Sequence, residues 1–118
     1  MTDTPKRLPS LKRVEFLVLL VLADGENHGY RIVQEIAART GNRVRVLPGN
    51  LYAILRRLAK ENLIRETSRR PVPDLDDRRR RYYQVTALGK EVLAAEAQLM
   101  RSLVRAAAAR DLIPDEVS

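Results

Sequence analysis

The sequence has no cysteine, no tryptophan and a single histidine, His28. Without cysteine there is no disulfide, no thiolate zinc site and no thiol nucleophile, and one histidine leaves no Cys/His metal cluster. The composition fits a reducing compartment. Aromatic residues make up 4% of the chain, so a large aromatic-lined pocket within one subunit is not expected. The longest apolar run, "FLVLLVLA" from Phe16 to Ala23, falls far short of the ~20 residues of a membrane helix. It follows the basic stretch "KRLPSLKRVE", as a signal-peptide core would, but "DGENHGY" comes next in place of a small-residue cleavage site. The run is therefore expected to be a buried first helix of a cytoplasmic protein with no membrane contact. The five glycines are dispersed, each near an expected helix end, so none forms a phosphate-cradling loop. No nucleophile or acid–base pair stands out. The sequence offers no catalytic residues, no metal ligands and no cofactor site, and an enzyme is not expected.

The 118 residues suffice for one domain with a small core, 45% of them being hydrophobic. The net charge is +7 and its placement is informative. Residues 42–81 hold twelve Lys/Arg and five Asp/Glu, whereas the rest of the chain holds ten of each and is neutral. All the excess charge thus sits in one third of the chain. A localised basic field is the electrostatic footprint of a protein that binds a polyanion.

The element pattern runs as follows. Residues 1–10 carry two prolines and form a flexible arm. Ser10 is placed to cap a helix from Leu11 to about Ala23, stopped by Asp24 and Gly25. Asn27 is placed to cap a second helix, "HGYRIVQEIAART", with Tyr30, Ile32, Val33, Ile36 and Ala37 at helical spacing. Gly41 suits a left-handed C-cap. "NRVRVLP" is a connector or one short strand. Pro48 opens a third helix at the position proline favours. At about 100° per residue, Leu51, Ile54, Leu55 and Leu58 share one face. Gly49, Ala53, Arg56 and Lys60 share the opposite one, flanked by Asn50, Tyr52 and Arg57. "LIRETSRR" and "RRYYQVT" alternate as two strands joined by an acidic, proline-broken loop. Tyr83 shares a face with Val85 and belongs to the core, whereas Tyr82 faces out with Gln84. Thr86 is placed to cap a last helix to about Arg110, and residues 111–118 form a frayed tail.

This order predicts a mainly α (α+β) fold, a winged helix-turn-helix with a two-stranded wing and a C-terminal dimerisation helix. Residues 11–87 form the winged-helix domain and residues 88–110 the dimerisation helix. The third helix is then the recognition helix. It presents Gly49, Asn50, Tyr52, Ala53, Arg56, Arg57 and Lys60 to DNA, with Asn and Arg suited to base edges and Tyr and Lys to phosphates. The wing adds Arg69, Arg70, Arg78, Arg79, Arg80 and Arg81. The bland readings are a solvated charged loop and an ordinary amphipathic surface helix. His28 reads as a polar residue beside a helix start. The last helix has a broad apolar side in Val92, Leu93, Leu99, Met100, Leu103 and Val104. The first helix is apolar nearly all round, with Phe16, Leu17 and Leu20. A domain this small cannot cover both, so they are expected to pair with the same helices of a second copy. The competing reading is a winged-helix module that binds RNA or a protein partner through its basic face.

"HGYRIVQEI", "LPGNLYAILRRLAKENLI" and "RRRRYYQVTALGKEVL", in this order and spacing, resemble the PadR family of bacterial transcriptional regulators. The resemblance covers roughly residues 11–104. By position it gives Asn50, Tyr52 and Arg56 the recognition-helix role and "RRRRYY" the second wing strand. With one C-terminal helix the chain looks like the short subgroup. The resemblance implies a homodimer bound to a double-stranded DNA operator, usually as a repressor, with a small-molecule effector left unidentified.

Overall fold

The computed structural model describes residues 10–67 and 81–114 of the protein. The elements run α1 (Arg13–Ala23), β1 (Asn27–His28), α2 (Gly29–Arg39), α3 (Pro48–Lys60), β2 (Ile64–Thr67), β3 (Tyr82–Val85) and α4 (Ala87–Ala109). The expected arm, most of the wing loop and the end of the expected tail lie outside the described residues.

The α1 helix starts at Arg13, two residues later than expected. Its start is capped from within: the Lys12 N–H donates to Glu15 Oε1 at 2.8 Å, so the first turn's own carboxylate does the work assigned to Ser10. The cap of α2 is also displaced by one residue. Asn27 belongs to β1, and His28 Nδ1 accepts from the Arg31 N–H at 3.2 Å. Helices α2 and α3 both end with a residue in the left-handed region, Gly41 at φ 58° and Asn62 at φ 64°. In each case the next N–H reaches back to a carbonyl five residues earlier, Asn42 to Ala37 and Leu63 to Leu58. This closes the last turn and reverses the chain.

The sheet is antiparallel in the order β1-β3-β2, among the described residues, so the wing pair carries a third strand that the sequence pattern did not reveal. Ile64 pairs with Val85 and Glu66 with Tyr83; Asn27 and His28 pair with Tyr83 and Tyr82. The register puts Tyr83 and Val85 in the core, each 8% exposed, as expected from their alternation.

The core lies where α1, α2, α3 and the start of α4 converge. Val18, Leu19 and Leu22 meet Ile32, Ile36, Leu51, Leu55, Leu58, Leu63, Ile64 and Val92, all essentially without solvent contact. Truncating one of these leucines to alanine costs about 2–5 kcal/mol. Two expected dimer residues, Val92 and Leu93, are part of this intrachain core, at 1% and 8% exposure. The reason is local. Thr86 caps α4 by accepting the Gly89 N–H at 2.9 Å, and its hydroxyl donates to the Asn62 carbonyl at 2.6 Å. Gly89 then lies against the Leu63 carbonyl so closely that any side chain would collide with it. The first turns of α4 are thereby pressed into the domain. Beyond them the helix leaves it, and Leu99, Leu103 and Val104 are 50–59% exposed. Met100 and the α1 residues Phe16, Leu17 and Leu20 are half-buried.

Candidate nucleic-acid interface

The amphipathic pattern of α3 sets the site. Leu51, Leu55 and Leu58 anchor one face in the core, and Ile54 packs beside them, half-buried. Gly49, Asn50, Ala53, Arg56 and Lys60 are exposed on the rest of the helix. A side chain added at Gly49 would meet nothing within 4 Å, so this end of α3 offers bare backbone to an approaching surface. Neither Arg56 nor Lys60 forms an ion pair among the described residues.

Arg57 differs from its neighbours. Its guanidinium pairs with the Glu15 carboxylate on α1, and the glutamate side chain is only 7% exposed. The arginine itself stays exposed, so in the folded chain its guanidinium lies at the surface end of an ion pair whose carboxylate is buried. Tyr52 is half-buried, with its ring edge beside Gly29 at the start of α2.

Between α3, the start of α2 and the sheet lies a cavity of about 1010 Å³. Arg56 and Tyr52 line it from α3, Tyr30 from α2, and Glu66, Arg81 and Tyr83 from the base of the wing. The low aromatic content argued against an aromatic-lined recess within one subunit; the fold makes one by gathering three of the four tyrosines at one place. Arg81 Nε lies 3.5 Å from Glu66 Oε2 across β2 and β3. Burial, and then the Glu66 carboxylate, raise the Tyr83 phenol above its ordinary value, while Arg81 pulls it down. The recess thus brings Arg56 of α3 and Arg81, just before β3, to one place. Arg69, Arg70, Arg78, Arg79 and Arg80 lie outside the described residues.

Two participants escaped the sequence reading. Tyr30, counted with the apolar spacing of α2, is 66% exposed and lines the recess. His28 is more than a bystander at the cap. Its ring stacks parallel to Tyr30 at 6.5 Å and meets Tyr82 edge-on at 5.3 Å. The "HGY" tripeptide held a signal in retrospect, since a ring on each side of a buried glycine marks a packed corner. Exposed arginines beside tyrosine hydroxyls suit phosphate contacts, and an arginine on the open face of a helix suits a base edge.

Residues 18–95 match the family model described as the transcriptional regulator PadR-like family. Transcriptional regulator Rv3488 of Mycobacterium tuberculosis is 35% identical over 92 residues, which cover 78% of this chain and 79% of that protein. Among solved structures, a PadR family transcription regulator from Clostridium difficile R20291 aligns with a TM-score of 0.68 at 24% identity, over 82% of this chain and 96% of that one. Bacillus subtilis PadR, solved in complex with operator DNA, aligns with a TM-score of 0.62 at 23% identity, over 71% of this chain and 46% of that one. These structures share the winged-helix fold of the chain. With a family match over most of its length and a relative of similar extent, the chain belongs to the transcriptional regulator PadR-like family, a family of transcription regulators and not of enzymes.

Proposed function

We propose that the protein is a homodimeric repressor in the cytoplasm that binds a double-stranded DNA operator sequence-specifically. The observation that carries this reading is the outer side of α3, where Asn50, Arg56 and Lys60 stand exposed beside a recess that also takes in Arg81. Arg56 and Asn50 read base edges in the major groove, and Tyr52, Lys60 and Arg81 bind phosphates. The wing arginines extend these phosphate contacts. The operator complex of Bacillus subtilis PadR supports the same use of the fold here.

The dimer rests on the apolar surface that one chain leaves open. In α4 this is Leu99, Leu103 and Val104, with Met100 beside them; in α1 it is Phe16, Leu17 and Leu20. A second copy covers both and sets two recognition helices to meet successive major grooves, about 34 Å apart. The repressor role and an effector of unidentified class rest on the family alone.

A gel shift against the duplex upstream of the protein's own reading frame tests the reading. A complex that survives excess non-specific DNA and RNA is expected. A complex removed equally by either competitor, or by RNA first, would contradict it and favour a general polyanion or RNA module.

A further inference from the structure

We propose that Glu15 and Arg57 form a tie between α1 and the recognition helix, and that Arg57 is a positioning residue for DNA reading and not a DNA contact. The proposal rests on the DNA-binding reading above. Its basis is a buried carboxylate at the start of α1 that caps its own helix with one oxygen and meets an arginine of α3 with the other.

Glu15 is the one buried charged residue among those described, at 6% exposure, in a helix whose other buried side chains are all apolar. A carboxylate withdrawn from water needs both a counter-charge and hydrogen bonds. Glu15 has one of each kind: Oε1 accepts the Lys12 N–H at 2.8 Å, and Oε2 meets the Arg57 guanidinium. The Lys12 bond fixes the glutamate to the start of α1, so its second oxygen is held at a set point for Arg57. The main packing of α3 runs to α2 and β2, while α1 packs chiefly on α2, α4 and β3. The ion pair is therefore a direct polar link between two helices whose main packing is to other elements. It lies one residue from Arg56, and rotation of α3 about its axis would move Arg56 and Asn50 while stretching the pair. On α1, Glu15 is followed by Phe16 and Leu17, which belong to the surface proposed for the partner subunit. The tie thus joins the helix that faces the partner to the helix that faces DNA.

A phosphate-contacting Arg57, merely restrained by Glu15, predicts the opposite behaviour, so the two accounts separate by sign. The variants are Glu15→Gln, Arg57→Gln and the double change, which leaves no unpaired buried charge. Each is titrated by fluorescence anisotropy against the duplex that gives the specific complex, over a range of salt concentrations. The tie predicts that Glu15→Gln weakens binding by about tenfold, that Arg57→Gln does the same, and that the double variant loses no more than either single one. The slope of log K on log salt stays that of the parent. If Glu15→Gln leaves binding unchanged or tightens it, or if Arg57→Gln lowers the slope by about one, the proposal is overturned. Melting the same proteins without DNA gives a second, independent test. The two positions should be coupled there as well, the double variant losing less than the summed singles. Additive losses would overturn the tie even if the parent bound no specific duplex, whereas coupled losses with no specific complex would place the failure in the DNA-binding reading alone.

Discussion

Arg56 stands exposed on α3 with no ion pair among the described residues, and it lines the recess it shares with Arg81. If it reads a base, Arg56→Ala costs ~1–3 kcal/mol on the operator and relaxes specificity at one position. Arg81→Ala should instead weaken operator and random duplex alike. Titration of both variants on both duplexes checks this, and equal losses from Arg56→Ala would make it another phosphate contact. Tyr83 carries a pH prediction. Its phenol is raised by burial and by Glu66, so the folded chain keeps that proton at pH values where the unfolded chain has lost it. The group's contribution is therefore full below the ordinary phenol range and is lost as pH rises through the raised value. Above about pH 10, the urea midpoint of the parent should fall more steeply than that of Tyr83→Phe; parallel curves would contradict the assignment. The sequence made Arg56, Lys60 and Tyr83 legible because helical and strand periodicity alone decide which way they point. It could not show that Arg57 is paired with Glu15, because that carboxylate lies 42 positions away in the chain. Nor could it show that Tyr30 faces the recess, because an exposed tyrosine and a core tyrosine have the same spacing.

The α4 helix illustrates how an element is both local and tertiary. Its start, its Thr86 cap and its end at Arg110 followed from capping chemistry and the absence of breakers. Its partition followed from neither. The apolar positions run along the whole helix, yet the first two turns are buried by their own domain and the later ones are open. What divides them is the contact of Gly89 with the Leu63 carbonyl, a meeting with the turn after α3 that no helical pattern encodes. Strand β1 was hidden for a similar reason. Two residues show no alternation, and they form a strand only because β3 presents its free edge to them. Thr86→Ala removes both the α4 cap and the bond to Asn62, and should cost ~1–2 kcal/mol in chemical unfolding. Gly89→Ala, though conservative in helix propensity, should cost more than that, because the obstacle is backbone and cannot swing aside. A Gly89→Ala protein as stable as the parent would mean that α4 does not seat against the Leu63 turn.

For the whole molecule the question is how one small basic domain becomes a specific reader. The charge excess lies wholly within residues 42–81, the segment that contains α3, β2 and the wing loop. Two copies that neutralise ~6–10 phosphates lose roughly 10³–10⁵ in affinity between 50 and 200 mM salt. A flat salt response would remove the backbone contacts from the account. The same reasoning gives α4 its place: ending the chain near Ala94 removes Leu99, Leu103 and Val104 but spares Val92 and Leu93 in the core. The shortened protein should scatter light as a folded monomer and lose specific binding, whereas the full chain should be a dimer at micromolar concentration. The most direct test of the central claim, that paired recognition helices read a defined duplex, is selection from a pool of random double-stranded DNA. The account predicts enrichment of an inverted repeat whose half-sites lie about one helical turn apart. A pool that stays random after repeated rounds, or one that converges on a single undivided site, would contradict it.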